Sequence, residues 1–322
     1  MSGAGPLAEV TRRDVRRDLE LSESTHQGSL AVCDLDGEVL ASLGDPARST
    51  FVRSCAKPFQ ATACLELLDL SGSTPTDVEL AVAWASHRGE RQHIDAVRRL
   101  LGRSATTADQ LTTPPDRPEA DPGATPAPIL HNCSGKHALF ALAGTEQACP
   151  RERLLDADGP LQRPVLAVLE EALGPIDAVG VDGCGAPAVA VPLSRLARGY
   201  AALASEDRWR RVREAGLAHP RMVGGIDRLE TALLGVGIVA KVGAEGVFAA
   251  GWVDERGRAR GLAVKAEDGA PRAAAAATVE LLEAIAVVRR DLWRPAAPLG
   301  GGRPVGRVQA APAVLELAMS LL

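Results

Sequence analysis

The fold is decided by residues 29–44, "SLAVCDLDGEVLASLG", in which two short apolar runs flank the dipeptide Asp36-Gly37. An Asp-Gly pair suits a tight turn with positive φ, so this stretch predicts a β-hairpin. Residues 246–269, "GVFAAGWVDERGRARGLAVKAEDG", predict a second hairpin that turns at Glu255-Arg256-Gly257. Because apolar strand faces must be buried against something, we expect hairpins from the two ends of the chain to share one antiparallel sheet.

Helical patterns fill most of the chain between the hairpins and follow the second one. Residues 95–102 and 163–174 predict helices that end in glycine, a common helix stop, and residues 271–288 predict a helix with Pro271 in its first turn. Another helix is predicted near Lys57, and its buried face would carry Ala61, Cys64, Leu65 and Leu68.

Two stretches have no regular periodicity. Residues 112–128, "TTPPDRPEADPGATPAP", are rich in proline and acid and predict a loop, and residues 294–309 near the C-terminus also predict irregular structure. The sequence therefore predicts an α/β fold in a single domain over residues 1–322. It would consist of an antiparallel sheet from both chain ends, flanked by helices, with a mainly helical insert.

Composition excludes several classes of protein. The chain has 322 residues, of which 46% are hydrophobic and 24% charged, as in ordinary soluble globular proteins. The net charge of −5 and the 3% aromatic content argue against nucleic-acid binding. The N-terminus has no apolar core of a signal peptide, and the most apolar stretch is interrupted by Lys241 and Glu245. We therefore expect no membrane span, a cytoplasmic location and reduced cysteines.

The stretch "RSCAKPFQ", residues 53–60, combines a serine and a lysine three positions apart, which share a face of a helix. Pro58 belongs in a first helical turn, so Ser54 would lie at the helix start, where N–H groups and the helix dipole stabilise negative charge. This arrangement suits Ser54 as a nucleophile with Lys57 as its base. The lysine pKa, about 10.4 in water, would then have to fall to near 7. The tetrapeptide alone more often means a capping serine and an exposed lysine.

Lys241 and Ser86 are candidates to assist this pair. Lys241 would lie at the end of a predicted strand, and Ser86 and His87 follow the strand-like run "LAVAWA", residues 80–85. If the next residues were helical, His87, Glu90 and His93 would share a face that could hold a metal. The H-E-x-x-H spacing is missing, so a polar surface helix is the preferred interpretation for His93.

Two cysteines lie in polar turns. Cys133 lies in "ILHNCSGKHALF", an apolar lead, a glycine-containing turn and a helical run, and Cys184 lies in a glycine-rich turn after a strand-like run. With a third ligand these two cysteines could bind zinc. Alternatively, both are small buried residues. Their spacing in the sequence does not decide between the two interpretations. Cys55 would point about 100° away from Ser54 and is interpreted as packing. The other three cysteines are interpreted as core or surface residues without a chemical role: Cys33, Cys64 and Cys149.

Seven motifs occur in order between about residue 25 and about residue 310: "RSCAKP", "ASHRGERQH", "HNCSGKH", "DGCGAP", "HPRMVGG", "KVGAEGV" and "VKAEDG". Together they resemble the rhizobial-type, or class 3, L-asparaginases of the asparaginase II family. The resemblance implies a fold similar to serine β-lactamases and glutaminases, and hydrolysis of L-asparagine to L-aspartate and ammonia. Cys55 stands where the family more usually has a small residue.

The resemblance also implies the site residues. Two Ser-Lys pairs would fall on Ser54 with Lys57 and on Ser86 with Lys241. Zinc would be bound at a site formed by Cys133, Lys136 and Cys184. The substrate-binding residues would be Arg53, His137 and Asp182. Members of the family are usually homodimers.

Other functions fit the same residues. A glutaminase or a penicillin-recognising serine hydrolase on the same fold could use the same serine and lysines. A non-enzyme alternative is a zinc-stabilised binding module, in which Ser54 only caps a helix.

Overall fold

Both predicted hairpins are present in the computed structural model, which describes residues 3–69 and 72–322. The strands are β1 (Gly5–Asp14), β2 (Leu19–Asp34), β3 (Val39–Leu43), β4 (Ser49–Phe51), β5 (Ala178–Val181), β6 (Pro187–Pro192), β7 (Val239–Val242), β8 (Val247–Val253), β9 (Ala259–Ala266), β10 (Leu299–Gly300), β11 (Arg303–Pro304) and β12 (Val308–Ala310). The α-helices are α1 (Lys57–Asp69), α2 (Asp77–Trp84), α3 (Arg91–Leu101), α4 (Ser134–Glu146), α5 (Gln162–Leu173), α6 (Leu193–Ser205), α7 (Arg210–Ala218), α8 (Pro220–Gly224), α9 (Leu229–Leu234), α10 (Pro271–Ala284) and α11 (Pro312–Met319).

The chain divides into two compact units. The first contains Met1–Thr50, Pro192–Ala204 and Ala240–Leu322, and the second contains Phe51–Val191 and Ser205–Val239. The second unit is therefore an insertion between strands of the first, interrupted by the segment that contains most of α6. The single domain over residues 1–322 stays a prediction.

The first unit is built on a seven-stranded sheet in the order β12-β1-β2-β9-β8-β7, with β3 also paired to β2. β2 is long enough to pair with β1 along its first part and with β3 and β9 along its second part, always antiparallel. The two predicted turns are correct, because Gly37 and Gly257 adopt φ values of 91° and 75° between their strands. The predicted α/β class, with an antiparallel sheet from both chain ends, is confirmed.

Helices α6 and α10 pack on this sheet. The alanine-rich α10 begins at Pro271, as predicted, and its buried run of small residues allows close contact with β1, β8, β9 and β12. α6 approaches β9 at Gly261, where an added Cβ atom would lie 1.8 Å from the carbonyl oxygen of Ala197. Glycine at this position lets the helix backbone rest directly on the strand.

The C-terminal region is more regular than predicted. Val308–Ala310 forms β12, which pairs with β1, and Pro312–Met319 forms α11, which contacts α10. A strand this short has no readable alternation in sequence. Main-chain hydrogen bonds to the edge of β1 stabilise it, and its partner lies nearly the whole chain length away.

The second unit is mainly helical, and β5 and β6 pair antiparallel in it. The run at residues 80–85 predicted a strand, and this was wrong because the run lies in and just after α2. The Thr76 hydroxyl accepts from the Glu79 N–H and the Glu79 carboxylate accepts from the Thr76 N–H, a reciprocal cap that starts a helix. The apolar run is continuous because Leu80–Ala85 is buried on all sides.

The predicted loop at residues 112–128 is present and is fixed to the rest of its unit. Asp116 and Ala127 pair as an isolated antiparallel bridge, and the Ala120 N–H donates to the Arg88 carbonyl over 2.9 Å. No helix in the described parts of the chain is both long enough and apolar enough to cross a membrane.

Gly261→Ala should lower the free energy of unfolding by about 1–3 kcal/mol, because the new methyl group overlaps the α6 backbone and the helix must shift. The measurement is urea unfolding followed by circular dichroism. Gly123→Ala is the control, since its nearest neighbour, an Asp121 oxygen, lies 3.4 Å from the added atom. That control should change stability by less than about 0.5 kcal/mol. Equal stability of the two variants would contradict the close approach.

Candidate active site

Ser54 lies in the short 3-10 turn Arg53–Ala56, which leads directly into α1. The Lys57 N–H donates to the Ser54 carbonyl, and Pro58 is the second residue of α1, where its missing N–H costs no helical hydrogen bond. The prediction that Ser54 precedes the helix start is confirmed. Ser54 is half-buried, whereas the Lys57 residue is only 1% exposed. The alternative of an exposed lysine is therefore wrong.

The buried amine of Lys57 is held at the C-terminal end of α2. Its Nζ donates to the carbonyl oxygen of Ala85 over 2.5 Å and to the hydroxyl of Ser86 over 3.0 Å. Ser86 is half-buried, like Ser54. The structure thus joins Lys57 to the second serine that the sequence singled out.

Lys241 belongs to the other compact unit. It is the third residue of β7, is fully buried, and its Nζ donates to the Val242 carbonyl over 3.1 Å. Its predicted place on a strand is confirmed, and its pairing with Ser86 stays a prediction.

His87 lies in an extended segment between α2 and α3, so His87, Glu90 and His93 do not share a helical face. The Gly89 N–H donates to His87 Nδ1, which leaves the ring proton on Nε2 to donate to the Ser134 hydroxyl over 2.8 Å. Burial, followed by the nearby charges of His93 and Lys57, lowers the pKa of His87 well below its usual value. A neutral ring committed at both nitrogens does not hold a metal.

His93 is fully buried, so its predicted position on a polar surface is wrong. Its ring stacks on His87 with centroids 5.3 Å apart, and its Nε2 donates to the Arg221 carbonyl over 3.1 Å. Sequence alone could not reveal this partner, because Arg221 lies in α8, far along the chain.

Cys133 directly precedes α4, so Gly135 lies inside the helix and not in the predicted turn. A Cβ atom at Gly135 would lie 2.1 Å from the Val82 carbonyl, and this close approach brings α4 against α2. The next residue, Lys136, is buried and donates from Nζ to the Cys184 sulfur over 3.2 Å. Cys184 comes from the glycine-rich β5–β6 turn, as predicted.

The two cysteines are hydrogen-bonded to each other. That bond lowers the pKa of Cys133 well below its usual value despite burial, with help from the charges of Lys57 and Lys136. The same bond, together with burial, raises the pKa of Cys184. Burial lowers the pKa of Lys136, but the charges of the two cysteines outweigh it and the net shift is upward. Because the charge of Lys57 acts on Cys133, the serine and cysteine groups are contiguous.

The zinc prediction depends on this donor set. Within residues 3–69 and 72–322, no group of three or more His, Cys, Asp or Glu side chains is arranged to hold a metal ion. Zinc would have to use Cys133 and Cys184 together with the Lys136 amine. Two sulfurs and a nitrogen are donors that zinc accepts, so the residues fit zinc in kind.

His137 lies beside this group on α4. Its Nδ1 shares a hydrogen bond of 2.7 Å with the Thr112 hydroxyl, and burial lowers its pKa to about 4, so the ring is neutral. The Cys184 side chain also interacts with this ring, so His137 is connected to the cysteine pair.

Arg53 and Asp182 face each other. Arg53 Nε and Nη2 lie 2.9 and 2.8 Å from Asp182 Oδ1, and the Gly183 N–H donates to the same oxygen over 2.8 Å. Burial would raise the pKa of Asp182, but the charges of Lys136 and Arg53 outweigh it and lower the pKa. Both residues therefore lie in the predicted site, and their roles towards substrate stay predictions.

Sequence reasoning missed several residues of this site. Thr112, which binds His137, lies in the proline-rich loop and no local pattern marks it. Ser134, the partner of His87, stands in the "HNCSGKH" motif and could have been found as a small polar residue in a first helical turn. Cys55 is buried, as predicted, and Cys33 and Cys64 are core residues, while Cys149 is half-buried.

Solved structures match this chain only at low similarity. Mglu in its native form is 19% identical with a TM-score of 0.38 over 80% of this chain and 63% of the Mglu chain. Mglu in its glutamate form is 18% identical with a TM-score of 0.38 over 82% and 62%. The chain thus spans less than two thirds of those Mglu chains. No curated protein matches it.

The decisive comparison is at the level of sequence families. The family model described as L-asparaginase II matches residues 13–310, which includes every site residue described above. The chain therefore belongs to the L-asparaginase II family.

Proposed function

We propose that the protein hydrolyses L-asparagine to L-aspartate and ammonia through an ester formed on Ser54. The observation that carries this proposal is the buried Lys57 amine, which donates to the Ser86 hydroxyl and lies three residues from the half-buried Ser54. Family membership supports an amide substrate. A capping serine with a solvated lysine would not need such an arrangement.

In the first step the Ser54 hydroxyl oxygen attacks the side-chain amide carbon of asparagine, and Lys57 accepts the hydroxyl proton. Lys57 must be neutral at that moment, because only a neutral amine can accept the proton. The amide oxygen becomes an oxyanion, and its stabilisation by main-chain N–H groups is part of the proposal.

In the second step the proton moves from Lys57 to the amide nitrogen, and ammonia departs. The Ser86 hydroxyl, 3.0 Å from Lys57 Nζ, can pass this proton by accepting one and donating another. Lys241 is proposed to assist Ser86. A water molecule then attacks the β-aspartyl ester while Lys57 accepts its proton, and aspartate leaves as the Ser54 hydroxyl is restored.

Arg53, His137 and Asp182 are proposed to bind the substrate. A guanidinium carries five N–H donors, and Asp182 engages two of those of Arg53, so others can pair with the substrate α-carboxylate. His137, which interacts with Cys184 beside Lys136, is proposed to meet a polar group of the substrate.

We also propose that zinc is held by Cys133, Lys136 and Cys184. When bound, it would supply a positive charge that joins the start of α4 to the β5–β6 turn and orders the pocket. Lys136 must lose its proton to become a ligand, so zinc occupancy should decrease on acidification.

A homodimer and a cytoplasmic location are further predictions. Light scattering of the purified protein tests the first: a mass of two chains supports it and a mass of one chain contradicts it.

Ser54→Ala should lower kcat by at least about 10⁴-fold, because the nucleophile is removed. Lys57→Met should lower kcat by about 10²–10⁴-fold, because a side chain of similar length no longer accepts the proton. A coupled ammonia assay measures both. Ser22→Ala, at an exposed serine in β2, is the control and should leave turnover unchanged. Unfolding midpoints near that of the unaltered protein establish that the variants fold, and normal turnover of either site variant would refute the mechanism.

The same assay with several substrates tests the choice of amide. Ammonia release from asparagine should exceed that from glutamine, and nitrocefin should not be hydrolysed. Faster release from glutamine would favour a glutaminase, and nitrocefin hydrolysis would favour a penicillin-recognising enzyme. No turnover, with bound zinc and no labelling of Ser54 by a diazo amino acid, would favour a binding module.

Protein produced with added zinc should contain the metal in stoichiometric amount, measured by plasma mass spectrometry after dialysis. Cys133→Ser and Cys184→Ser should each lose most of it, because the hydroxyl is a much poorer ligand than a thiolate. Cys149→Ser is the matched control, since Cys149 lies outside the site, and should keep it. Equal zinc in all four proteins would contradict the assignment.

A further inference from the structure

Arg53, the residue before the proposed nucleophile, has a backbone conformation that few side chains adopt. Its φ is 50°, a positive value that glycine reaches easily and a residue with a Cβ atom avoids. Arg53 also lies between two residues, Val52 and Ser54, whose backbone groups are hydrogen-bonded. The Val52 N–H before it donates to the Val189 carbonyl of β6 over 3.0 Å, and the Ser54 carbonyl after it accepts from Lys57.

The side chain of Arg53 is fixed as firmly as its neighbours. Its Nε and Nη2 both donate to one oxygen of Asp182, and the two side chains are only 23% and 12% exposed. Asp182 is itself immobilised by the β5–β6 turn, because its N–H donates to the Ala186 carbonyl and its own carbonyl accepts from Gly185. The carboxylate is therefore a rigid partner.

The Arg53–Asp182 ion pair and the main-chain hydrogen bonds of β6 connect the same segments of chain to one another. β6 is bonded to Val52 on one side and to β5 on the other, with Val181 opposite Pro187. The Arg53–Asp182 contact connects the end of β4 to the turn between β5 and β6. Relaxation of Arg53 to a negative φ would rotate the following peptide and swing Ser54 away from its present direction.

We propose that the Arg53–Asp182 ion pair holds Arg53 at positive φ and so aims the Ser54 hydroxyl at the substrate. This inference rests on the proposed function, in which Ser54 is the nucleophile. Asp182 is then a positioning residue that acts through Arg53. Binding of the substrate carboxylate by Arg53 is compatible with this role, because the pair with Asp182 engages only two N–H groups of the guanidinium.

Glycine and alanine at position 53 separate positioning from substrate binding. Both variants lack the guanidinium, so KM should rise equally in both, but only glycine reaches positive φ without steric cost. Arg53→Ala should lower kcat by about 100-fold, because a misplaced nucleophile reduces the rate by about that factor. Arg53→Gly should keep a kcat at least about tenfold higher than that of Arg53→Ala. Equal kcat in the two variants would overturn the proposal.

Asp182→Asn gives an independent test. It should lower kcat by about tenfold or more in the unaltered background and by less than about threefold when combined with Arg53→Gly, since residues that act as one unit are not additive. An equal effect in both backgrounds would overturn the proposal. This comparison does not use Arg53→Ala, so it still tests the proposal if that variant does not fold.

Ala148→Gly is the matched control, because Ala148 also has a positive φ, 48°, and lies after α4 outside the site. It should leave kcat unchanged.

Ser54→Ala distinguishes a failure of the proposed function from a failure of the positioning role alone. Full turnover of Ser54→Ala would refute the proposed function itself, whereas an inactive Ser54→Ala together with equal kcat for the glycine and alanine variants at position 53 would refute only the positioning role.

Discussion

The site depends on the burial of one lysine amine between a main-chain carbonyl and a serine hydroxyl. Lys57 Nζ donates to the Ala85 carbonyl and the Ser86 hydroxyl, and its residue is almost entirely removed from water. An amine in this position cannot be solvated by bulk water, so its protonation responds to the few groups around it. A lysine proposed to accept a proton near neutral pH needs neighbouring groups that can change its pKa in this way.

The helices of the second unit produce this burial through close packing. α1, α2 and α4 contact one another, and Gly135 lets α4 approach the α2 backbone closely. The same approach places Cys133 near Lys57 and directs Lys136 to the β5–β6 turn. Lys57, Cys133 and Lys136 are therefore brought together by one packing arrangement, so damage to that packing should affect all three.

Sequence predicted the elements whose signals are local. Asp36-Gly37 and Gly257 marked their turns, and Pro58 and Pro271 marked helix starts. It failed where a distant partner decides the outcome. His93 is buried where the Arg221 carbonyl accepts from its ring, and β12 pairs with the edge that β1 offers. The apolar run before Ser86 is a different case, because the reciprocal cap of Thr76 and Glu79 that starts its helix is a local signal. The positive φ of Arg53 has no local signal, since glycine and not arginine usually marks such a position.

Trapping the covalent intermediate tests the central claim most directly. The protein is mixed with excess asparagine, quenched in acid within the turnover time, digested with trypsin and measured by mass spectrometry. Cleavage after Arg53 yields a peptide that begins at Ser54, and this peptide should carry the mass of a β-aspartyl group, which should be missing when Lys57 is methionine. An aspartyl group on any other peptide, or turnover of asparagine with Ser54 never modified under conditions that trap an ester, would contradict the account.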